Sequence, residues 1–308
     1  MTEPSKQKTA RNGRPVKSRA ADAVVRRIIA ACGWSAIAIL AAIFVFLLLN
    51  AQKAISEVGL WAMITGTDWY PTSDPPSFGF LPAEVGSLWV TGVALFLAVP
   101  IGVAAAVYLS EFAKGTFKEV TKSVIEFMAA VPSVVLGLLG LAYIAPLIKS
   151  VFHLNSGLTA LTAGLVVGIM SMPTMISISE DALHSVPKEL RQGSLALGNT
   201  RWQTTYKVTV PAASSGIFAA VMLGLGRAIG ETMVVLMLAG NSGLIIDSPL
   251  GAARTLTGTI AQEMGEVVRG GLHYSVLFAM GLVLFAITFA INLAADLVLE
   301  RQRKRWRR

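Results

Sequence analysis

Arg227 and Glu231 stand four residues apart in the segment GLGRAIGETM, inside an apolar run that extends over 214–240. Drawn as one helix, that run has 27 residues and places Arg227 thirteen from either end. At 1.5 Å per residue, about 20 Å of helix separates the guanidinium from each end, farther than the side chain can reach. A charge at the centre of a bilayer costs about 2.5–3.5 kcal/mol, so a chain that keeps one there is expected to use it. At i and i+4 on a continuous helix the two charges share a face and offset one another in part. The order is the weaker one for a self-sufficient pair, because the base precedes the acid. Partners on other helices, or water, are therefore expected. A guanidinium fork suits the oxygens of a phosphate-like anion. The carboxylate beside it would keep such an anion from being trapped and would accept a hydrogen bond from a protonated phosphate oxygen. Two readings stay open on residue chemistry: a substrate path through Arg227 and Glu231, or an ion pair that holds or gates the helices.

Three further residues belong with this candidate path. Ser133 and Thr232 are hydroxyl donors within apolar runs, although such hydroxyls often bond their own backbone. Glu126 opens the third apolar run, where its carboxylate either joins the path or snorkels to the interface.

These residues need spanning elements to carry them. Of the 308 residues, 54% are hydrophobic and 14% charged. Apolar runs of about 18 or more residues are candidates for membrane helices. Six occur, at 28–49, 87–109, 124–147, 158–178, 214–240 and 274–297. The expected fold is thus an all-α polytopic membrane protein with six transmembrane helices. Pro100, Pro132 and Pro173 fall within these runs, and glycines crowd the fifth, so interrupted helices are expected. The net charge of +8 is not the signature of a nucleic-acid binder. With the N-terminus in the cytoplasm, 21 of the 26 Lys and Arg fall on the cytoplasmic side. That bias follows the positive-inside rule and predicts both termini in the cytoplasm. The first 27 residues read as a basic, disordered tail, not as a cleaved signal, and 298–308 as a basic anchor at the lipid surface. The segment 50–86 reads as a loop with turns, with Trp61, Trp69, Tyr70, Phe78 and Phe80 forming an interfacial belt. A lone cysteine and three scattered histidines suggest no metal site. No nucleophile–base constellation suggests catalysis. The chain lacks G-x-x-x-x-G-K-[ST], so any ATP hydrolysis must come from another subunit.

The segment 179–213 is the most structured connection. Pro187 suits a helix start, and Gly198 can take the left-handed conformation that ends a helix. Thr200 and Gln203 have the spacing of a capping box. Trp202 and Tyr206 then share one face of a second short helix, which Pro211 is expected to stop. An exposed aromatic face of this kind invites a partner.

This segment resembles the EAA loop of ABC importer permeases. Gly198, Val208, Val210 and Pro211 match that pattern in spacing, while Gln192-Gly193-Ser194 stand where Glu-Ala-Ala would be. GSLALGNTRWQT is similar to the form found in phosphate-specific permeases. TGTDWYP followed by FGFLP, the segments around Pro100 and Pro132, and GRAIGET add to the likeness. The first of these favours the C-type subunit (PstC). The resemblance spans about 55–297 and implies a type I importer permease fold (MetI-like) in the plasma membrane. It implies a coupling role for Gly198, Trp202, Gln203, Tyr206 and Pro211, and a transport role for Arg227 and Glu231. The implied partners are a second, PstA-like permease, a PstB-like ATPase pair that holds ATP and Mg, and a PstS-like external phosphate-binding protein. This chain itself would bind no cofactor, and its cargo would be inorganic phosphate. Sulfate, molybdate or phosphonate import by the same architecture stays open on residue chemistry, as does a secondary transporter driven by an ion gradient.

Overall fold

A computed structural model describes the backbone of residues 16–306 and the side chains of 23–300. The chain divides into two units, 1–49 and 50–308. The first is the leading part of helix α1 (Val16–Glu57), which starts before the expected Ile28. The expected tail is thus helical from Val16 onward, and 1–15 lies outside the described residues. The second unit begins with the end of α1 and the short helix α2 (Leu60–Thr65). An antiparallel two-residue hairpin follows, β1 (Trp69–Tyr70) with β2 (Ser77–Phe78). Next come α3 (Leu81–Glu111), α4 (Gly115–Ala130), α5 (Ser133–Leu139), a π turn over Gly140–Ile144, and α6 (Ala145–Val151). Then come α7 (Ala160–His184), α8 (Lys188–Ala196) and α9 (Arg201–Thr204). A second π turn, Thr205–Thr209, leads into α10 (Val210–Gly230). The chain ends with α11 (Met233–Leu238), α12 (Leu256–Glu263) and α13 (Leu272–Trp306).

Six helical stretches among the described residues are long and apolar enough to cross a membrane. They agree with the six expected runs in number and order, and some of their bounds and breaks differ. Pro100 and Pro173 do not interrupt α3 and α7, which run straight through them. Pro132 does separate two helices. The amphipathic α4 ends at Ala130, and the spanning stretch begins only at Ser133. The fifth run is cut at 231–232, and its spanning stretch is instead Arg201–Gly230. Pro211 fails to stop the helix. In the π turn before it, the Val210 N–H reaches back to the Thr205 carbonyl. Such a widened turn accommodates the ring and lets the helix continue.

The scaffold is the packing of α3 on α7, with α10 laid against α7. Small residues make that approach possible. A Cβ on Gly168 would lie 2.9 Å from the Ala94 carbonyl oxygen, closer than side-chain atoms come. Apolar clusters then fill three levels. Ala106, Leu109, Ile176, Leu183 and Ala213 form the level nearest α8. Val90, Val167, Met170, Val234 and Leu238 fill the middle. Trp69, Phe78, Phe80, Leu256, Leu277 and Met280 fill the hairpin end. Trp69, Phe78 and Phe80 are therefore core residues and not the interfacial belt expected of them; Trp61 and Tyr70 remain exposed. The hairpin turns their rings inward, where burying large aromatic surface is most favourable.

Candidate functional site

Arg227 occupies the last turn of α10 and not the middle of a long helix. The chain turns extended at Glu231 (ψ 129°) and resumes as α11 at Met233. The i, i+4 geometry needs a helix through both positions, so the expected Arg227–Glu231 pair does not form. Among the described residues, no ion pair joins them. Arg227 Nη1 instead donates to Thr174 Oγ1 of α7 at 3.0 Å. Glu231 Oε1 accepts the Val234 N–H at 3.2 Å and so caps α11. The Glu231 carbonyl accepts from Thr257 Oγ1 of α12 at 2.8 Å. Thr232 Oγ1 donates to the Gly230 carbonyl at 3.2 Å, meeting one of the acceptors the break exposes. The cation stands at a helix C-terminus and the carboxylate at a helix N-terminus, the ends at which each is favoured. The break is thus stabilised on both sides, and among the described residues Arg227 enters no ion pair.

The other two path candidates lie on separate elements. Ser133 opens α5, which packs against α11, so the fold brings their helices together. Glu126 is exposed on α4, where its charge acts on Lys122. Lys122 and Lys118 of α4 both reach the buried Glu180 of α7, at 3.0 and 2.8 Å. The hydrogen bond to Glu180 raises the Lys122 ammonium above its usual range.

The connection after α7 has the expected form. Gly198 ends α8 with φ +84°, and the Thr200–Gln203 capping box starts α9. Trp202 and Tyr206 are 64% and 66% exposed, and Leu190, Leu195 and Leu197 add apolar surface beside them. Gln203 is exposed, whereas Pro211 is half-buried within the continuous helix. A hydroxyl contact of 2.9 Å between Ser194 and Thr204 ties α8 to α9.

A polar cluster at the hairpin end was not foreseen from the sequence. Glu263 Oε1 accepts from Trp69 Nε1 at 3.0 Å and from Arg254 Nη1. His273 Nε2 lies 2.8 Å from Glu263 Oε2. These residues line a cavity of about 690 Å³. Nothing in the sequence joins Trp69 to Glu263, 194 positions away, so only the hairpin reveals the contact.

Against this geometry, comparisons with known proteins define the class. The profile of the family described as "Binding-protein-dependent transport system inner membrane component" matches residues 98–308, and the chain belongs to this family. The chain is a multi-pass membrane permease subunit of the ABC importer type. Among its relatives is the probable ABC transporter permease protein YqgH of Bacillus subtilis, 38% identical over 90% of this chain and 91% of that one. The phosphate transport system permease protein PstC of Mesorhizobium japonicum is 33% identical over 91% and 90%. PstC of Haemophilus influenzae is 33% identical over 86% and 89%. The fold matches a bacterial alginate ABC transporter in complex with its alginate pentasaccharide-bound periplasmic protein (TM-score 0.64, 14% identity, 91% of this chain and 96% of that one). It also matches the inward-facing MetNI methionine ABC transporter (TM-score 0.56, 20% identity, 70% and 93%).

Proposed function

We propose that this chain is one permease subunit of an ATP-driven importer of inorganic phosphate in the bacterial plasma membrane. The observation that carries the reading is Arg227, a guanidinium at the end of an apolar spanning helix, held by a neutral hydroxyl and not by an acid. Its remaining donors suit a tetrahedral oxyanion. The names of the relatives select phosphate from among such anions. The bias of Lys and Arg along the chain supports a cytoplasmic side that holds both termini and α8–α9, with the hairpin end outside. The exposed Trp202–Tyr206 surface then meets an ATPase pair that carries ATP and Mg. A second permease completes the path, and an external phosphate-binding protein delivers the cargo. Closure of the ATPases exposes the path alternately to the two sides, and the break at 231–232 is where the spanning helix yields to it.

The test is uptake of labelled phosphate by the reconstituted complex, for wild type and Arg227→Gln, with excess sulfate as competitor. Uptake that ignores sulfate and is lost in the assembled variant is expected. Full competition by sulfate would replace the cargo and keep the importer. Normal uptake by Arg227→Gln would make the arginine structural.

A further inference from the structure

The surface proposed above to receive the ATPase has to move the membrane helices, and α8 is otherwise loosely attached. Of its nine residues only Ser194 is buried. Ser194 ties it to α9, and among the described hydrogen bonds one side chain joins it to the ends of α3 and α7. Arg191 Nη2 donates to Glu111 Oε1 at 2.9 Å and to the Leu183 carbonyl at 2.7 Å. Glu111 is the last residue of α3, and Leu183 lies in the last turn of α7. The Arg191 and Glu111 side chains are only 20% and 12% exposed, so water screens the contact little. Charge-assisted bonds of this kind are roughly twice as strong as neutral ones. Leu183 itself is fully buried in the cluster that joins α3, α7 and α10 at this end.

We infer that Arg191 is the strut that carries displacement of α8 into the ends of α3 and α7. Nine residues before Leu183, the same α7 carries Thr174, the hydroxyl that holds Arg227. That is about 14 Å of continuous helix. Without Arg191, α8 keeps its hydroxyl link to α9 and its chain connection to α7, and its side-chain hydrogen bonds to α3 and α7 are lost. Arg191 is thus a positioning residue for coupling. It has no contact with the cargo, and the sequence pattern around Gly198 does not single it out. The inference rests on reading α8–α9 as the ATPase-docking surface.

The experiment measures phosphate uptake and ATP hydrolysis together in liposomes that contain the whole complex. The variants are Arg191→Lys, Glu111→Gln and the double Arg191→Met with Glu111→Met. The double variant removes both charges, so neither is left buried alone. It is expected to assemble and to hydrolyse ATP near the wild-type rate, while phosphate moved per ATP falls roughly fivefold, the scale on which a coupling element acts. Arg191→Lys is expected to recover part of the ratio. An unchanged ratio in the double variant overturns the strut alone. A proportional loss of hydrolysis and uptake also overturns it and makes the contact one that serves assembly. A wild-type complex without ATP-driven uptake overturns the importer reading, and the strut with it.

Discussion

At the scale of the residue, the decisive fact is what Arg227 touches. A guanidinium beside a carboxylate is already neutralised, and an incoming anion has to displace that partner. Beside a hydroxyl it keeps its full charge and most of its donors. Thr174 therefore belongs to the proposed site, although it lies 53 positions from Arg227 in the chain. Replacing Thr174 by Val removes the acceptor at nearly constant volume, and a hydrogen bond to a charged group is worth about 1.5 kcal/mol or more. Phosphate uptake by the Thr174→Val complex is expected to fall about tenfold with ATPase assembly intact. Thr174→Ser keeps the acceptor and should retain most of the uptake. Equal uptake by Val and wild type would remove Thr174 from the mechanism. Glu231 has a different part from the one its spacing suggests. It caps α11, so its loss should disturb the break before it disturbs the charge of Arg227.

At the scale of the element, two glycines in the α8 region separate conformation from contact. Gly198 ends α8 with φ +84°, whereas Gly193 lies within the helix, and a Cβ at either would meet open space. Any effect of adding one is thus conformational. Gly198→Ala is expected to cost about 1–2 kcal/mol, because L-residues resist the left-handed region. Gly193→Ala should instead stabilise by about 0.5–1 kcal/mol, since alanine loses less freedom in a helix. Thermal unfolding of the purified complex tests both, and shifts of the same sign would contradict the assignment. The capping box and the Gly198 turn were legible in the sequence because both are local chemistry. The continuation through Pro211 was not. Proline predicts a stop, and the π turn at Thr205–Thr209 that overrides it has no comparable sequence signal.

At the scale of the whole molecule, the exposed face of Trp202 and Tyr206 is the surface proposed above to meet the ATPase. The double variant Trp202→Ala with Tyr206→Ala removes two aromatic anchors of the kind that dominate interfaces. It is expected to reach the membrane and to lose its ATPase on purification, read as the amount of ATPase retained per permease. Full retention would mean that docking lies elsewhere. By itself the sequence determined the architecture: six apolar runs and a segment of two short helices between the fourth and fifth. These follow from composition along the chain, which lipid and water read locally. The tertiary structure alone decided that the fifth run is broken at 231–232. It also decided that Arg227 bonds Thr174 and not Glu231, that Trp69 joins Glu263, and that Arg191 reaches Glu111. The physical reason is range. A hydrophobic run expresses its preference residue by residue. A break in a helix, or the partner of a buried charge, is settled by what neighbouring helices offer to otherwise unsatisfied polar groups, and only packing brings those groups together.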